Sequence, residues 1–371
     1  MNILHIITGL NDGGAEAVLY RLCAYDKEYK QTVISLMDEG KYGPLLEDAG
    51  VDVHCLNMPS GRVTLSGLYQ LFKLIRKLKP DVVQTWMYHA DLLGGAIARV
   101  AGINNIVWGI RHTSHDAKSS SLSIRVITRL CGYLSPIIPR KIVSCSVNAV
   151  PVHVALGYQQ DKFKVIPNGY DFSEFNFNLD GARNIRKELD LEDDCFLIGC
   201  VARWSPQKDH LNLIKSLSLL MLKHDRFHCV IVGSNCETSN EVLVKQLKEH
   251  GITDRVTLMG TRNDIAALMS AFDIHVLPSA YGEAFPNVVA EAMACHTPCI
   301  VTDVGDAALI VDEFGWVVPT RDAPALCNAM SLAIKYRVTS NWEILCSNAR
   351  NHVAENYSIA KMYKLYLDAW N

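Results

Sequence analysis

IHVLPSAYGEAFPNVVAEAMA, residues 274–294, joins a short apolar run to a segment with helical spacing. Residues 274–277 have the apolar composition of a buried strand, and a loop containing proline and glycine follows them. Pro286 is typical of a helix start, and apolar residues then recur at helical intervals up to residue 294. The stretch therefore predicts a strand, a loop and a helix, the repeating unit of parallel α/β sheets.

The same alternation extends along the chain in both directions. Apolar runs rich in β-branched residues predict strands at 3–8, 32–36, 51–56, 82–86, 106–110 and 142–145, then at 196–201, 228–232, 256–258, 274–277 and 299–301. Helical spacing occurs between them, at 15–24, 44–49, 66–78, 90–101, 210–224, 240–250, 264–271 and 288–294. The pattern stops near 166–170, before a polar, helix-poor stretch at 171–180, and then restarts. It predicts an α/β protein with two parallel-sheet halves.

The composition excludes several classes of protein. The chain has 371 residues, of which 49% are hydrophobic and 20% charged, so it is globular rather than disordered. A net charge of −3 argues against a nucleic-acid-binding protein. The twelve cysteines form no CxxC pair, which predicts free core thiols and no zinc site. No signal-peptide pattern or membrane-spanning apolar run occurs, so we expect a cytoplasmic protein.

A basic and apolar segment interrupts this ordinary composition. No Asp or Glu occurs between Asp116 and Asp161, although Leu, Ile, Val and Tyr are frequent there. Residues 117–160 could therefore contact an anionic membrane surface, which places the protein at the inner face of the cell membrane. The alternative is a helix with a core-facing apolar side and a solvated basic side. The basic residues of the segment are Lys118, Arg125, Arg129, Arg140 and Lys141.

Two loops that follow predicted strands carry residues suited to phosphate. Gly9–Glu16, with Gly13 and Gly14, opens a helix, and glycines there let backbone N–H groups approach an anion. A tight turn without a ligand is the alternative, and the spacing does not match a dinucleotide-binding GxGxxG motif. Arg203 and Lys208 follow the buried run 196–201, at the strand end where open α/β sheets bind ligands. Both cations can hold phosphate, and a solvated loop is the alternative.

Glu283 and Glu291 are spaced for binding rather than for hydrolysis. Glu283 precedes the predicted helix and Glu291 lies two turns inside it. Eight residues of helix span about 12 Å, whereas the two carboxyl groups of glycosidases lie about 5–9.5 Å apart. An acid/base pair is therefore disfavoured. Two carboxylates along one helix edge instead suit two hydroxyl-bearing groups of one extended ligand, such as a sugar and a ribose.

Together, Glu283-x7-Glu291, the Arg203/Lys208 pair, the Gly13-Gly14 turn and Pro167-Asn168-Gly169 resemble the retaining family 4 glycosyltransferases of the GT-B fold, the group 1 glycosyl transferases. The resemblance covers nearly the whole chain. It implies two Rossmann-like, parallel-sheet domains that face each other across a cleft. Residues 1–170 would bind the acceptor and residues 171–352 the nucleotide sugar, while a C-terminal helix in 353–371 would return to the first domain.

The resemblance also implies a role for each site residue. Arg203 and Lys208 would neutralise the diphosphate leaving group, and Glu283 would bind hydroxyls of the donor sugar. His112 matches the family's active-site histidine near that sugar, and an ordinary interior or surface histidine is the alternative. His89 is a weaker candidate for the acceptor side. The remaining donor-site residues would be Gly13, Gly14, Arg262, Ala284, Phe285, Pro286, Asn287 and Glu291, with Glu291 on the ribose and Arg262 stacked on the base.

The sequence departs from the family pattern in two places. Ala284 stands where many members have glycine, and His296 replaces the glycine of the usual Cys-Gly-Thr-Pro. Ala284 bears on the backbone approach to the sugar. We expect His296 to lie at a helix end, where a left-handed conformation is harder for histidine.

The implied activity is a metal-independent, retaining hexosyltransferase that needs no cofactor beyond its nucleotide-sugar co-substrate. It would move a hexose or N-acetylhexosamine from a UDP-sugar, with a GDP-sugar left open, to a polyprenyl-diphosphate-linked saccharide. Such acceptors belong to O-antigen (lipopolysaccharide), capsule or exopolysaccharide assembly. We further expect Glu283→Ala to abolish transfer and to leave nucleotide binding intact. The alternatives are a nucleotide-sugar epimerase on the same fold and a non-catalytic sugar-nucleotide or membrane-binding scaffold.

Overall fold

Two parallel β-sheets organise the protein, seen here in a computed structural model that describes residues 1–113 and 122–371. The chain divides into two units by its internal contacts. Unit 1 comprises Met1–Gly169 and Ile359–Asn371, and unit 2 comprises Tyr170–Ser358. The boundaries expected from the sequence lie after residues 170 and 352. The predicted fold class, an α/β protein with two Rossmann-like parallel sheets, is confirmed.

Unit 1 contains a sheet of seven strands within the part of the chain that the structure describes, in the order β3-β2-β1-β4-β5-β6-β7. The strands are β1 Asn2–Ile7, β2 Lys30–Ser35, β3 Asp52–Cys55, β4 Val82–Trp86, β5 Ile106–Ile110, β6 Lys141–Ser144 and β7 Phe163–Val165. The helices are α1 Gly14–Tyr25, α2 Tyr42–Asp48, α3 Leu65–Leu78, α4 Gly95–Val100, α5 Leu122–Leu134 and α6 Ala149–Ala155, with a π-helical turn at Ala90–Gly94 and a 3-10 turn at Gln160–Lys162.

Unit 2 contains a sheet of six parallel strands in the order β10-β9-β8-β11-β12-β13. The strands are β8 Phe196–Val201, β9 Phe227–Val232, β10 Val256–Gly260, β11 Ile274–Leu277, β12 Cys299–Thr302 and β13 Trp316–Val318. The helices are α7 Leu179–Glu188, α8 His210–Met221, α9 Glu241–Glu249, α10 Ile265–Ala271, α11 Asn287–Ala294, α12 Ala307–Val311, α13 Ala323–Arg337 and α14 Trp342–Asn356, with 3-10 turns at Pro206–Lys208 and Thr253–Arg255.

Each sheet reverses its strand order at one point. In unit 1 the chain moves outward from β1 to β3 and then crosses back, so that β4 pairs with the other side of β1. In unit 2 it moves outward from β8 to β10, and β11 then pairs with the other side of β8. The loops that leave the two strands at such a point diverge, which opens a crevice at the carboxyl ends of the strands. This edge, the carboxyl edge, is where ligands of open α/β sheets bind.

Burial explains which strands the sequence predicts best. β4, β5, β8 and β11 are buried along their whole length, because helices cover both faces of a central parallel strand, and their observed and predicted bounds coincide. The sequence analysis missed the two sheet-edge strands β7 and β13, which have three residues each. It also missed several helices, and α7 begins inside the stretch that we described as helix-poor.

The last helix, α15 (Ile359–Trp370), packs on unit 1 as part of its core. Trp370 is 1% exposed, and its indole N–H donates to Gln84 Oε1 of β4 at 3.1 Å. Its backbone carbonyl accepts from Asn105 Nδ2 at 2.6 Å, and its ring lies 5.8 Å from that of His5. Burial lowers the pKa of His5 to about 4, so this imidazole is neutral at physiological pH. The helix is thereby fixed by both packing and hydrogen bonds.

We predict that Trp370→Ala lowers the free energy of unfolding of unit 1 by about 3–5 kcal/mol, because it leaves a cavity and an unpaired Gln84 oxygen. Urea unfolding followed by hydrogen exchange of the β4 and β5 amides would measure the change. The control is Lys364→Ala on the exposed side of α15, which should stay within about 0.5 kcal/mol of the unsubstituted chain. Equal effects of the two substitutions would contradict the prediction.

Candidate functional site

The reversal point of unit 2 brings together two loops singled out from the sequence. The loop after β8 carries Arg203 and Lys208, and the loop after the neighbouring strand β11 carries Glu283. A backbone hydrogen bond from Ala280 N to Gln207 O, at 2.8 Å, ties the two loops to each other. The sequence placed each loop at a strand end, and the strand order makes them neighbours.

Lys208 and Glu283 form a mostly buried ion pair between these loops. Lys208 Nζ lies 2.5 Å from Glu283 Oε1, and the two side chains are only 15% and 8% exposed. Ser279 Oγ donates to the same oxygen at 2.6 Å, and the carbonyl of Ser279 accepts from Thr302 Oγ1 at 2.6 Å. Among the described residues nothing bonds the other oxygen, Oε2, which is not sealed from solvent. The carboxylate is thus held at one oxygen and open at the other.

Arg203 contributes a second positive charge at the same strand end. Its side chain is exposed, and within residues 1–113 and 122–371 its guanidinium meets no carboxylate. Nearby His275 adds no charge, because burial, with Lys208 as a further cause, lowers the pKa of this imidazole to about 3. Arg203 and Lys208 are therefore the positive charges of the loop after β8.

A close backbone approach fixes the segment that precedes α11. Gly305, in the loop after β12, has φ +61°, and a Cβ there would lie 2.2 Å from Glu283 O and 2.8 Å from Ala284 O. Asp306 N donates to Ala284 O at 2.9 Å. A side chain at residue 305 would therefore displace the backbone that carries Glu283. Gly305, Asp306 and Ser279 were not predicted from the sequence, although a glycine three residues after the strand end was a readable signal.

The residues that begin α11 are anchored within unit 2. Phe285 is 7% exposed, and its ring packs against those of Tyr170 and Tyr357, with centroids 6.5 and 5.2 Å away. Tyr170 OH donates to Asn287 Oδ1 at 2.6 Å. Pro286 is the N-terminal cap residue of α11, and Glu291 lies half-buried in its second turn. The helix start is thus rigid, and its first N–H groups have no side-chain cap.

The two departures from the family pattern both lie near this helix. His296 follows the last turn of α11 and has φ +64°, so the expected left-handed conformation at a helix end is confirmed. Such a conformation costs a non-glycine residue about 1–2 kcal/mol. Ala284 is 6% exposed and contributes the carbonyl that accepts from Asp306.

Arg262 lies elsewhere on the carboxyl edge of unit 2. It follows β10, the outermost strand, and its guanidinium bonds Glu188 at 2.8 Å and Asp264 at 2.7 Å. These two carboxylates raise the pKa of the Arg262 guanidinium. The structure does not bring this side chain into contact with the Lys208–Glu283 pair, and its role in base stacking stays a prediction.

The reversal point of unit 1 carries the glycine turn and His89. Gly13 is the N-terminal cap residue of α1, and Gly14 is its first residue. A Cβ on Gly13 would lie 2.4 Å from a carboxylate oxygen of Glu16, so the Glu16 side chain folds over the helix start. Burial raises the pKa of Glu16 and lowers that of His89. A carboxylate therefore already occupies the positive end of α1, which favours a hydroxyl-bearing ligand there over a phosphate.

His112 lies two residues after β5 and is exposed. Between β4 and β5, Asp91 of the π-helical turn accepts from Thr85 Oγ1 at 2.5 Å and from Gly109 N at 3.1 Å. Burial raises the pKa of Asp91 to about 7. Asp91 was not predicted from the sequence; it ties the ends of these two strands together through Thr85 and Gly109.

The basic and apolar segment forms an unusual helix. Lys118 lies outside the described residues, but α5 is described and is apolar on two faces. One face packs into unit 1 through Thr128 and Cys131. On the other face, apolar side chains at helical intervals are 45–79% exposed to solvent. They are Leu122, Val126, Leu130 and Tyr133, together with Ile137 just beyond the end of the helix. No described helix is long and apolar enough to cross a membrane.

No metal site emerges from the described ranges, in which no three His, Cys, Asp or Glu side chains are arranged as ligands. All twelve cysteines are free, and most of them are buried, as predicted.

Comparison with known proteins gives matches over nearly the whole chain. The family model described as Glycosyltransferase Family 4 matches residues 12–174, and the model described as Glycosyl transferases group 1 matches residues 182–353. Among curated proteins, the chain is 28% identical to the UDP-Gal:alpha-D-GlcNAc-diphosphoundecaprenol alpha-1,3-galactosyltransferase of Escherichia coli, over 82% of this chain and 79% of that protein. It is 22% identical to the capsular polysaccharide biosynthesis glycosyltransferase CapM of Staphylococcus aureus, over 82% and 81%.

Solved structures share the fold. The crystal structure of Anabaena HepE in complex with UDP superposes with a TM-score of 0.88 at 22% identity, covering 99% of each chain. The two family models match the two units in order, and the fold is that of the GT-B glycosyltransferases. This chain therefore belongs to the family 4, group 1 glycosyltransferases.

Proposed function

We propose that this chain is a retaining, metal-independent glycosyltransferase that moves a hexose or N-acetylhexosamine from a UDP-sugar to a saccharide on polyprenyl diphosphate. The assembly of a bacterial surface polysaccharide, whether O-antigen, capsule or exopolysaccharide, would use this product. The observation that carries the proposal is the Lys208–Glu283 pair at the reversal point of unit 2, with Arg203 at the same strand end.

Arg203 and Lys208 suit the charge that develops on the leaving group. As the bond between the sugar and the diphosphate breaks, negative charge gathers on the phosphate oxygens, and cations already in place stabilise it. The exposed guanidinium of Arg203 can bind two phosphate oxygens at once, and Lys208 adds a point charge. Because these residues supply the positive charge, the reaction needs no metal ion.

Glu283 suits a hydroxyl group of the donor sugar. Lys208 and Ser279 hold its Oε1, whereas Oε2 can accept a hydrogen bond from a ligand. If Lys208 binds the diphosphate, the carboxylate of Glu283 would lie on the side of the leaving group, because its Oε1 is 2.5 Å from Lys208 Nζ. In an inverting enzyme, the carboxylate that acts as the base would instead lie on the face of the sugar opposite the leaving group.

Retention follows if the acceptor hydroxyl attacks from the face that the diphosphate leaves. The bond from the anomeric carbon to the diphosphate oxygen breaks, a bond to the acceptor oxygen forms, and the acceptor proton passes to the departing phosphate. His112 and Glu283 would contact the sugar during this exchange. The rest of the donor site would comprise Gly13, Gly14, Arg262, Ala284, Phe285, Pro286, Asn287 and Glu291.

The names of similar proteins support the choice of donor and acceptor. The E. coli relative is named for UDP-galactose and for N-acetylglucosamine on diphosphoundecaprenol, and the HepE structure contains UDP. We therefore take UDP as the nucleotide and a diphosphoundecaprenol-linked N-acetylhexosamine as the acceptor to test first. Two alternatives stay open: an epimerase would convert the donor sugar without an acceptor, and a scaffold would bind the nucleotide without chemistry.

We predict that UDP, but not GDP or ADP, raises the melting temperature of the full chain. A ligand at 100 times its Kd adds about 2.7 kcal/mol of apparent stability.

We also predict sugar transfer when the chain is given UDP-galactose or a UDP-N-acetylhexosamine together with N-acetylglucosaminyl-diphosphoundecaprenol. Mass spectrometry should find one sugar added to this acceptor, and NMR should find that the new linkage has the same anomeric configuration as the donor. EDTA should leave the rate unchanged. An inverted product, inhibition by EDTA, or donor conversion without acceptor would each contradict part of the proposal.

The ion pair changes what we expect of Glu283 substitutions. From the sequence, nucleotide binding should be independent of Glu283, but the carboxylate and the diphosphate would compete for the Lys208 ammonium. We predict that Glu283→Gln lowers kcat by roughly 100-fold or more, through loss of a charged hydrogen bond to the sugar. Its UDP affinity should stay equal or increase a few-fold, because Lys208 no longer faces a negative charge.

Calorimetric titration with UDP would compare the UDP affinity of Glu283→Gln with that of the unsubstituted chain. Lys208→Met should weaken UDP binding roughly tenfold or more, since a charge-assisted hydrogen bond is lost. Glu313→Gln, an exposed carboxylate elsewhere in unit 2, is the matched control and should change neither quantity. If Glu283→Gln weakened UDP binding as much as Lys208→Met, the sugar-side role of Glu283 would be wrong.

We further propose that the exposed face of α5 rests on an anionic membrane, where a polyprenyl-linked acceptor resides. The face has apolar side chains at helical spacing, and the surrounding sequence has basic residues and no acidic ones from 117 to 160. Apolar burial in the lipid interface and attraction of Arg or Lys, about 1 kcal/mol for each basic residue, would act together.

We predict that the double substitution Val126→Gln with Leu130→Gln reduces binding to phosphatidylglycerol-containing vesicles roughly tenfold or more in a flotation assay, because two exposed apolar side chains no longer enter the interface. Leu222→Gln is the control, since this residue is 79% exposed but lies in unit 2. Binding should weaken with salt and be absent on pure phosphatidylcholine. Unchanged binding of the α5 variant would rule out this face.

A further inference from the structure

The strand end that carries His112 is fixed from both faces of the unit 1 sheet. Beyond β5, Arg111 contacts Trp86, which belongs to the core on the α15 side. The next residue, His112, packs beside Tyr88, which belongs to the core on the opposite side of the sheet. Side chains of successive extended residues point to opposite faces, and here each one meets a buried aromatic ring.

Arg111 is held by three groups from different parts of unit 1. Its Nη1 donates to Asn168 Oδ1 at 2.7 Å, and its Nη2 donates to the hydroxyl of Tyr366 in α15. The guanidinium also lies over the ring of Trp86, 4.4 Å from its centroid. Trp86 and Tyr366 are fully buried, and Asn168 is 5% exposed. A planar guanidinium can bond in two directions while stacked on a ring, and a lysine cannot.

This arrangement accounts for a motif that the proposed reaction leaves unused. Asn168 is the central residue of Pro167-Asn168-Gly169, which carried part of the family resemblance but received no role. In the structure its amide oxygen accepts from the residue directly before His112. The motif therefore connects the end of β5 to the point where the chain leaves unit 1 for unit 2.

Tyr88 restrains the imidazole of His112 itself. The two rings are stacked with centroids 6.4 Å apart and an interplanar angle of 28°. At the other end of the tyrosine, its hydroxyl lies 2.7 Å from Nε2 of the buried His153. The Nδ1 of His153 lies 2.7 Å from the carbonyl of Ala149 and must carry the proton, since a carbonyl only accepts. Nε2 therefore accepts from the Tyr88 hydroxyl, which fixes the plane of the tyrosine ring.

We infer that Arg111 and Tyr88 are positioning residues for His112: Arg111 fixes the backbone that carries the imidazole, and Tyr88 fixes the face against which it packs. This inference rests on the proposed function, in which His112 meets the donor sugar. Neither positioning residue contacts substrate in this scheme. Small misplacements of a catalytic group cost about 10–100-fold in rate, so both act on kcat rather than on nucleotide binding.

The test is a double-mutant cycle in the full chain. We predict that Arg111→Lys lowers kcat for sugar transfer roughly tenfold or more and leaves the Kd of UDP within about twofold. In a His112→Ala background the same substitution should cause no further loss. Tyr88→Phe, which removes only one hydroxyl, should give a smaller loss of the same kind. Arg99→Lys is the matched control, because Arg99 bonds Asn104 and backbone carbonyls of unit 1 away from His112.

A spectroscopic measurement keeps this test independent of turnover. In histidine-labelled protein, the His112 ring resonances and their titration with pH should change in Arg111→Lys and in Tyr88→Phe, and should not change in Arg99→Lys. Losses of kcat that multiply in the His112→Ala background, or His112 resonances that stay unchanged, would overturn the inference. Full activity of His112→Ala would instead contradict the proposed role of His112, while the spectra would still report whether the two residues position it.

Discussion

Parallel pairing is the constraint on which the rest of this structure depends. A strand that pairs in parallel must be followed by a crossover, so every loop that leaves a strand end emerges at the same edge of its sheet. The chain reverses strand order once in each unit, between β1 and β4 and between β8 and β11. Those two places receive the residues with the most distinctive chemistry. The glycine turn and His89 lie at the first, and Arg203, Lys208 and Glu283 lie at the second.

A mostly buried ion pair lies at the reversal point of unit 2. Removing a carboxylate and an ammonium from water is costly, and their attraction offsets that cost only with further hydrogen bonds. Ser279 supplies one such bond to Glu283, and Gly305 allows the backbone approach that holds the carboxylate in place. A diphosphate that binds Lys208 would replace a neighbouring carboxylate as its counter-ion. Under the proposed function, nucleotide binding and the hydrogen bonding of Glu283 would therefore be coupled, a relation that spacing along the sequence did not reveal.

The sequence predicted the features that local composition controls and missed those that depend on contacts between distant residues. Central strands such as β5 and β8 are continuous apolar runs, so their bounds could be read directly. The left-handed conformation of His296 followed from its position after a helix. By contrast, β13 is a three-residue edge strand without a clear pattern. Lys208 and Glu283 are 75 residues apart, and only the strand order makes them neighbours. Which site residues act in transfer remains a prediction.

The C-terminal helix links the stability of unit 1 to the geometry of its strand ends. Trp370 anchors α15 to Gln84 in the middle of β4, and Tyr366, one turn earlier, reaches Arg111 at the end of β5. Both aromatic residues also pack in the core that contains Trp86. Because the same helix fills this core and bonds the residue beside His112, the packing of α15 and the position of the strand end depend on each other. The return of this helix to unit 1 therefore has a local role beyond the burial of apolar surface.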